Sequence, residues 1–304
     1  CIGWDVRTPP RVPPKEELPV IDVAEVPSLR DPILVAAFEG WNDAGEAAST
    51  AITHLRTVWH ATKLAAMDPE DYYDFQVNRP RVALDKGQRR VIWPTTRLFL
   101  CRSTTMDRDV ILVQGIEPST RWRTFTIELV ELAGRLGVST VVTLGALLAD
   151  VPHTRPLPVT TTSDDAATRT RYGLDASTYQ GPTGIVGVLN DAAARAGFDA
   201  MSSWAAVPHY AGGAPSPKAT LALLGALEDV LDIVIARGDL EEDARAWERG
   251  VDELAASDAE VAEYVSSLED ESDAAELPEA SGDAIAREFG RYLRYLETPE
   301  EPEA

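Results

Sequence analysis

Four short apolar runs constrain this chain most: Pro32 to Phe38 (PILVAAF), Val110 to Gln114 (VILVQ), Val138 to Leu148 (VSTVVTLGALL) and Met201 to Val207 (MSSWAAV). Each is too short, and too uniformly apolar or small, to present an amphipathic helix face, so each reads as a buried strand. Helix-like segments separate them. Strands that alternate with helices pair in parallel through crossover connections, and the helices then cover both faces of the sheet. The predicted fold is α/β and three-layer, a mostly parallel sheet with helices on both faces, plus an acidic α-helical C-terminal appendage.

The segments between the runs carry recognisable helix signals. Asp43, with Glu46 three residues on, has the form of a capping box and predicts a helix to about Trp59. Gly115 to Trp122 precedes a helix to Leu136, and Tyr179 to Gly184 precedes one that ends at Gly197. A Thr-rich run, Thr160 to Ser163, leads to a short helix near Asp164 to Arg171. Ser216 as N-cap with Pro217 at the first helical position opens a helix to about Ala236. Arg81 to Leu84, Arg90 to Trp93 and Arg97 to Cys101 read as strands broken by Asp85-Lys86-Gly87 and Pro94. They predict a β-rich insertion over residues 79–102, a hairpin or an edge addition.

Outside this body the composition changes. Residues 1–30 carry prolines at 9, 10, 13, 14, 19 and 27 without strand or helix periodicity, which predicts an extended arm before an α/β domain over residues 31–237. Residues 1–220 hold 25 acids and 22 bases, whereas residues 221–304 hold 25 acids and 6 bases. The net charge of −22 thus sits almost wholly in the last part of the chain, and residues 238–304 are expected to form an acidic helical region. Such a surface repels nucleic-acid phosphates and anionic lipid. From Asp239 to Leu268 one helix is expected, with an apolar stripe at Leu240, Ala244, Trp247, Val251, Leu254, Val261, Tyr264, Val265 and Leu268. A charged linker over Glu269 to Gly282 and a helix over Asp283 to Leu296 follow.

Two cysteines, Cys1 and Cys101, do not make a disulfide framework and fit a reducing cytoplasm. The apolar runs are too short to span a bilayer. A first residue Cys1 in place of Met suggests that the true start precedes it.

The tripeptide Val-Pro-His occurs twice, at Val151-Pro152-His153 and Val207-Pro208-His209, each copy following a predicted strand. Proline has no N–H for a ladder, so both histidines are expected just past strand ends. In a parallel α/β sheet that is where the ligand crevice lies. The residues able to converge there are Glu39, Asn42, Asp43, Glu117, Arg121, Asp150, His153, Arg155, Tyr179, Thr183, His209 and Lys218. Their types suit capture of a small anionic ligand. The same residues also have plainer readings: hydrogen-bonded turn histidines, Asp43 as an N-cap, and arginines held in salt bridges.

Specific catalytic and metal motifs are missing. No His-Glu-x-x-His pattern or cysteine pair offers a metal site, and His54 and His60 stand six apart on one helix. Gly181-Pro182-Thr183-Gly184 lacks the Gly-Lys-Ser/Thr of a phosphate loop, and no Gly-x-Ser-x-Gly elbow is present. No catalytic nucleophile can be nominated, and no cofactor or metal is expected.

Six ordered segments carry a family resemblance: Phe38 to Gly45 (FEGWNDAG), Gly115 to Trp122 (GIEPSTRW), Leu144 to Leu147 (LGAL), Asp150 to Pro156 (DVPHTRP), Tyr179 to Ile185 (YQGPTGI) and Trp204 to Tyr210 (WAAVPHY). Together they resemble the PAC2, or proteasome assembly chaperone 2, family in its actinobacterial branch. The resemblance implies a phosphorylase/hydrolase-like α/β fold. It also implies a non-catalytic protein-interaction or assembly-chaperone-like module with protein partners, and a homo-oligomer. The alternative is a small-molecule hydrolase or transferase, nucleosidase- or phosphorylase-like, using the polar crevice. Members of the family that engage proteasome rings tend to end in a hydrophobic-Tyr-any motif, whereas this sequence ends Glu300-Glu301-Pro302-Glu303-Ala304. On that reading no such terminal plug is expected.

Overall fold

The computed structural model describes residues 28–85, 87–102, 107–213 and 215–276. Most of the predicted N-terminal arm and the helix predicted over Asp283 to Leu296 lie outside these residues. The strands are β1 (Ile33–Glu39), β2 (Thr62–Ala66), β3 (Arg81–Asp85), β4 (Gln88–Ile92), β5 (Arg97–Cys101), β6 (Val110–Ile116), β7 (Thr140–Ala149), β8 (Val159–Thr162) and β9 (Asp199–Pro208). Seven of them form one sheet in the order β2-β5-β6-β1-β7-β9-β8.

The four strands expected from the apolar runs are adjacent, β6-β1-β7-β9, and every pairing among them is parallel. The flanks differ from a parallel expectation: β5 runs antiparallel to β6 and β8 antiparallel to β9, so the sheet is mixed, while β2, paired antiparallel with β5, returns to the direction of the central four. The cause is the connection. Only residues 102–109 lie between β5 and β6, too few for the crossover that a parallel partner needs. The stretch read as one insertion therefore divides. β3 and β4 make a separate antiparallel hairpin, whereas β5 joins the main sheet, and β2 was not foreseen at all.

Side chains alternate along each central strand and feed two cores. Ile33, Val35 and Ala37 of β1 face α1 (Ala47–Val58) and α5 (Pro217–Leu231). Leu34, Ala36 and Phe38 face α2 (Trp122–Arg135) and α4 (Ile185–Arg195). A short helix, α3 (Ala166–Tyr172), lies beside β9.

Among the described residues the acidic region forms two helices, α6 (Leu240–Ser257) and α7 (Ala259–Glu276). The single helix expected there breaks because Asp258 leaves helical geometry and its carboxylate accepts the Glu260 amide at 2.9 Å. α6 packs on α5, and α7 on α6. Leu240, Ala244, Val251, Val265 and Leu268 of the predicted stripe are buried, whereas Leu254 is exposed.

The capping box at Asp43 does not form. Gly45 and Glu46 both adopt positive φ, which inserts a left-handed turn before α1. Asp43 still caps the helix, but across a longer reach, with Oδ1 accepting from Ala48 N at 2.7 Å and Ser49 N at 3.2 Å.

Candidate functional site

The loops beyond the carboxyl ends of the parallel strands gather most of the predicted residues, in two groups. The first group follows β7 and β9. Their ladder continues to the pair Ala149 and Pro208, so the two Val-Pro-His tripeptides emerge side by side at one sheet edge. His153 is only 1% exposed. Its Nδ1 and its backbone N both lie 2.8 Å from the Tyr210 hydroxyl, and its Nε2 lies 3.0 Å from Asp252 Oδ1 of α6. One arrangement satisfies these atoms: the backbone N–H donates to Tyr210 Oη, the hydroxyl donates to Nδ1, and the Nε2–H donates to Asp252. Burial raises the pKa of the Tyr210 phenol above its ordinary value, which keeps that donor protonated.

The neighbours are held in the same manner. Lys218 Nζ donates to the His153 carbonyl and pairs with Glu248 at 2.7 Å. Arg155 grips Asp273 through two hydrogen bonds of 2.7 and 2.9 Å, and its Nη1 lies 3.5 Å from Glu269, which also accepts from Thr154. His209 Nδ1 lies 3.2 Å from Asp150, which in turn accepts from the Tyr264 hydroxyl at 2.9 Å. Trp247 and Tyr264 stand edge-on to the rings of His153 and His209 respectively, with centroids 6.5 and 5.3 Å apart. The strand-end loops thus form a seat, and α6 and α7 occupy it.

The second group lies after β1 and β6. Glu117 Oε1 accepts from Asn42 Nδ2 at 2.7 Å and from Ile185 N at 2.8 Å, so it caps α4 and fixes the β1 loop. Asn42 is 1% exposed, and its carbonyl receives the Ala146 amide. Gly184 makes this approach possible, since a Cβ there would come within 2.2 Å of Asn42 Oδ1. Burial, reinforced by Asp43 and Glu46, raises the Glu39 carboxyl pKa, and burial likewise raises that of Asp43. Asn42 Oδ1 and Asp43 Oδ2 are both buried without a hydrogen-bond partner.

Three predicted residues have other surroundings. Arg121 pairs with Asp71, on the far side of β6 from the histidines. Tyr179 is exposed and donates to the Pro182 carbonyl at 2.9 Å. Thr183 is also exposed. Among the described residues, no group of three or more His, Cys, Asp or Glu side chains is placed to hold a metal ion.

The PAC2 family model matches residues 37–255, a span that includes both groups of loops and most of α6. The chain belongs to the PAC2 family. It is 58% identical to a PAC2 family protein of Streptomyces avermitilis, with a TM-score of 0.73, over 77% of this chain and 100% of that one. A Mycobacterium tuberculosis proteasome-assembly chaperone homologue is 51% identical, with a TM-score of 0.70, over 77% of this chain and 99% of that one. Pyrococcus furiosus PbaA, an archaeal homolog of proteasome-assembly chaperone, shares the fold at 17% identity and a TM-score of 0.55, over 75% of this chain and 93% of that one. A comparison with curated proteins finds no match.

Sequence reasoning missed the acids that complete the PAC2 seat. Glu248 and Asp252 are spaced i, i+4 on α6, and Glu269 and Asp273 are spaced likewise near the end of α7. Each pair puts two carboxylates on one helix face beside the apolar stripe. That spacing was the available signal, hidden among many other acids.

Proposed function

We propose that this PAC2 protein is a non-catalytic protein-interaction module of the assembly-chaperone kind. The observation that carries the reading is the occupied seat: after β7 and β9, the polar groups that an enzyme of this architecture would turn toward a substrate, His153, Arg155 and Lys218, are here bonded to α6 and α7. The 51% identity to a proteasome-assembly chaperone homologue supports the same reading, with proteasome subunits as partners. A hydrolase or transferase would draw on His153, which is buried between Tyr210 and Asp252. The cytoplasm is the compartment that fits such partners.

The homo-oligomer belongs to the same proposal. Val82 and Leu84 of β3 and Val91 of β4 are all exposed on one face of the hairpin, with Val82 directly opposite Val91. A two-stranded hairpin is marginal by itself, and an apolar face on it gains by contact with another chain.

The test is reconstitution. Proteasome α and β subunits are mixed with and without this protein, and half-proteasome formation is followed by native mass spectrometry. Co-elution with an assembly intermediate, or faster ring closure, is the expected result. Unchanged assembly with no co-elution would overturn the proteasome reading.

A further inference from the structure

Arg121 and Arg155, the arginines that sequence reasoning nominated for anion capture, are each neutralised by the chain's own acids. A different set of cations is not. It lies on the α1 face of the sheet, where β2 and β5 form the margin beyond β6. α1 itself packs on β1, β6 and β7. Arg97 of β5 stands opposite Gln114 of β6, and Lys63 of β2 stands opposite Phe99 of β5. Directly opposed residues share a face with Cβ atoms about 4.5–5.5 Å apart, and Arg97 and Phe99, two apart on one strand, share it too.

Arg56 reaches this margin from α1. Its Nη1 donates to Gln114 Oε1 at 2.6 Å, while Gln114 Nε2 donates to Thr53 at 2.8 Å. The guanidinium lies over the Phe99 ring, 3.8 Å from its centroid. Both contacts fix its position, and neither supplies negative charge. Burial first, and then the neighbouring charge of Arg97, hold the Arg56 pKa below the ordinary guanidinium value.

Among the described residues, none of Arg56, Lys63 and Arg97 makes an ion pair, although the chain holds 50 acids against 28 Lys and Arg. Glu39 is close enough to feel Arg97, yet it forms no ion pair with it. Like charges gathered beside Phe99 repel one another at a cost that a bound anion would remove. Two planar forks and one point charge, three positive charges among them, suit the three oxygens and two negative charges of a phosphate monoester better than a single carboxylate.

We propose that Arg56, Lys63 and Arg97 form a phosphate-binding subsite on the β2–β5 margin of the sheet, fit for the terminal phosphate of a small molecule. The subsite is independent of the chaperone reading and distinct from the seat under α6 and α7.

The experiment is isothermal titration of the full chain with inorganic phosphate and with phenyl phosphate, at ionic strength held constant with chloride. Arg97→Gln and Lys63→Gln remove charges that hold no hydrogen bond within the described fold, so circular dichroism should report native folding in both. Saturable binding is expected, weakened about tenfold by Arg97→Gln and severalfold by Lys63→Gln, and unchanged by Arg121→Gln. Phenyl phosphate binding tighter than inorganic phosphate would mark an ester as the natural form, and the reverse order would mark the free ion. Heat that chloride alone reproduces, or equal affinity in wild type and Arg97→Gln, would overturn the subsite.

Discussion

His153 Nε2 and Asp252 Oδ1 stand 3.0 Å apart, joining the loop after β7 to a helix 99 residues further along the chain. The two partners are unequal, because His153 is sealed whereas the Asp252 side chain is 56% exposed. Replacing His153 with Ala removes the ring nitrogen that accepts the Tyr210 hydroxyl proton, leaves Asp252 without its partner and opens a cavity, at an expected cost of about 2–4 kcal/mol. Asp252→Asn, at a solvated end, should cost less than about 1 kcal/mol. Urea unfolding of both variants measures the difference, and equal losses would show that the histidine is not a buried anchor.

Salt and Arg155 should act on the same element. Arg155→Gln removes the fork to Asp273 and the contact with Glu269. Because these groups are partly exposed and screened by solvent, global stability should change little. Amide exchange in Ala259–Glu276 should nevertheless quicken markedly, and 0.5 M salt should bring the wild type toward the variant. Exchange in α7 that ignores both changes would mean that its apolar contacts alone hold it.

Asp109 and Asp43 give opposite responses to acid. Burial pushes the Asp109 carboxyl up, but hydrogen bonds from the Arg30 amide and side chain, with the charges of Arg30 and Arg102, bring it below 3.8. Its contribution is present above that value and lost as pH falls through the depressed folded pKa. Asp109→Asn should therefore be less stable at neutral pH, by about 1–3 kcal/mol, with the gap closing below about pH 4. Asp43 is raised above 3.8 by burial, so its folded form takes up the proton first, and its penalty grows as pH rises through that window. Unfolding curves for Asp109→Asn and Asp43→Asn across pH 3 to about 7 should diverge in opposite directions.

Gly184→Ala should break the Asn42, Glu117 and Ile185 junction. The glycine φ is −98°, so strain arises from the approach of Asn42 and not from the backbone. A cost of about 1–3 kcal/mol is expected, and it should shrink when Asn42 is also Ala, a coupling that a double-mutant cycle detects. Additive losses would place the clash elsewhere.

Threonine at Val82, Leu84 and Val91 together should leave unfolding within about 0.5 kcal/mol, since all three are exposed. If the hairpin is the self-association surface, light scattering after size exclusion should give a smaller mass than the wild type. An unchanged mass would move the oligomer contact to another face.

Reading the sequence located what local pattern encodes. The four apolar runs became the parallel centre of the sheet, and both histidines came to one edge, because strand length and proline position are local facts. β2 escaped notice because Thr62–Ala66 is five residues with an exposed Lys63 and only one buried residue, Ala65. β5 looked like part of its neighbouring hairpin because strand partners are not written in a strand's own residues. The site failed in the same direction. Nothing near Val151-Pro152-His153 announces that Asp252, Glu248 and Asp273 will arrive to satisfy it, since charge pairing across such distances is decided by packing.

The order of the chain adds a temporal consequence to the occupied seat. The last strand of the sheet, β9, is complete at Pro208, before α6 has begun at Leu240. Chains made from the N-terminus fold their early parts first. On the ribosome, then, the sheet edge with His153, Tyr210 and Lys218 stands open to water until Glu248, Asp252 and Asp273 have emerged. The seat closes only after the sheet is complete, and a pause in synthesis between α5 and α6 would leave that edge bare for the length of the pause.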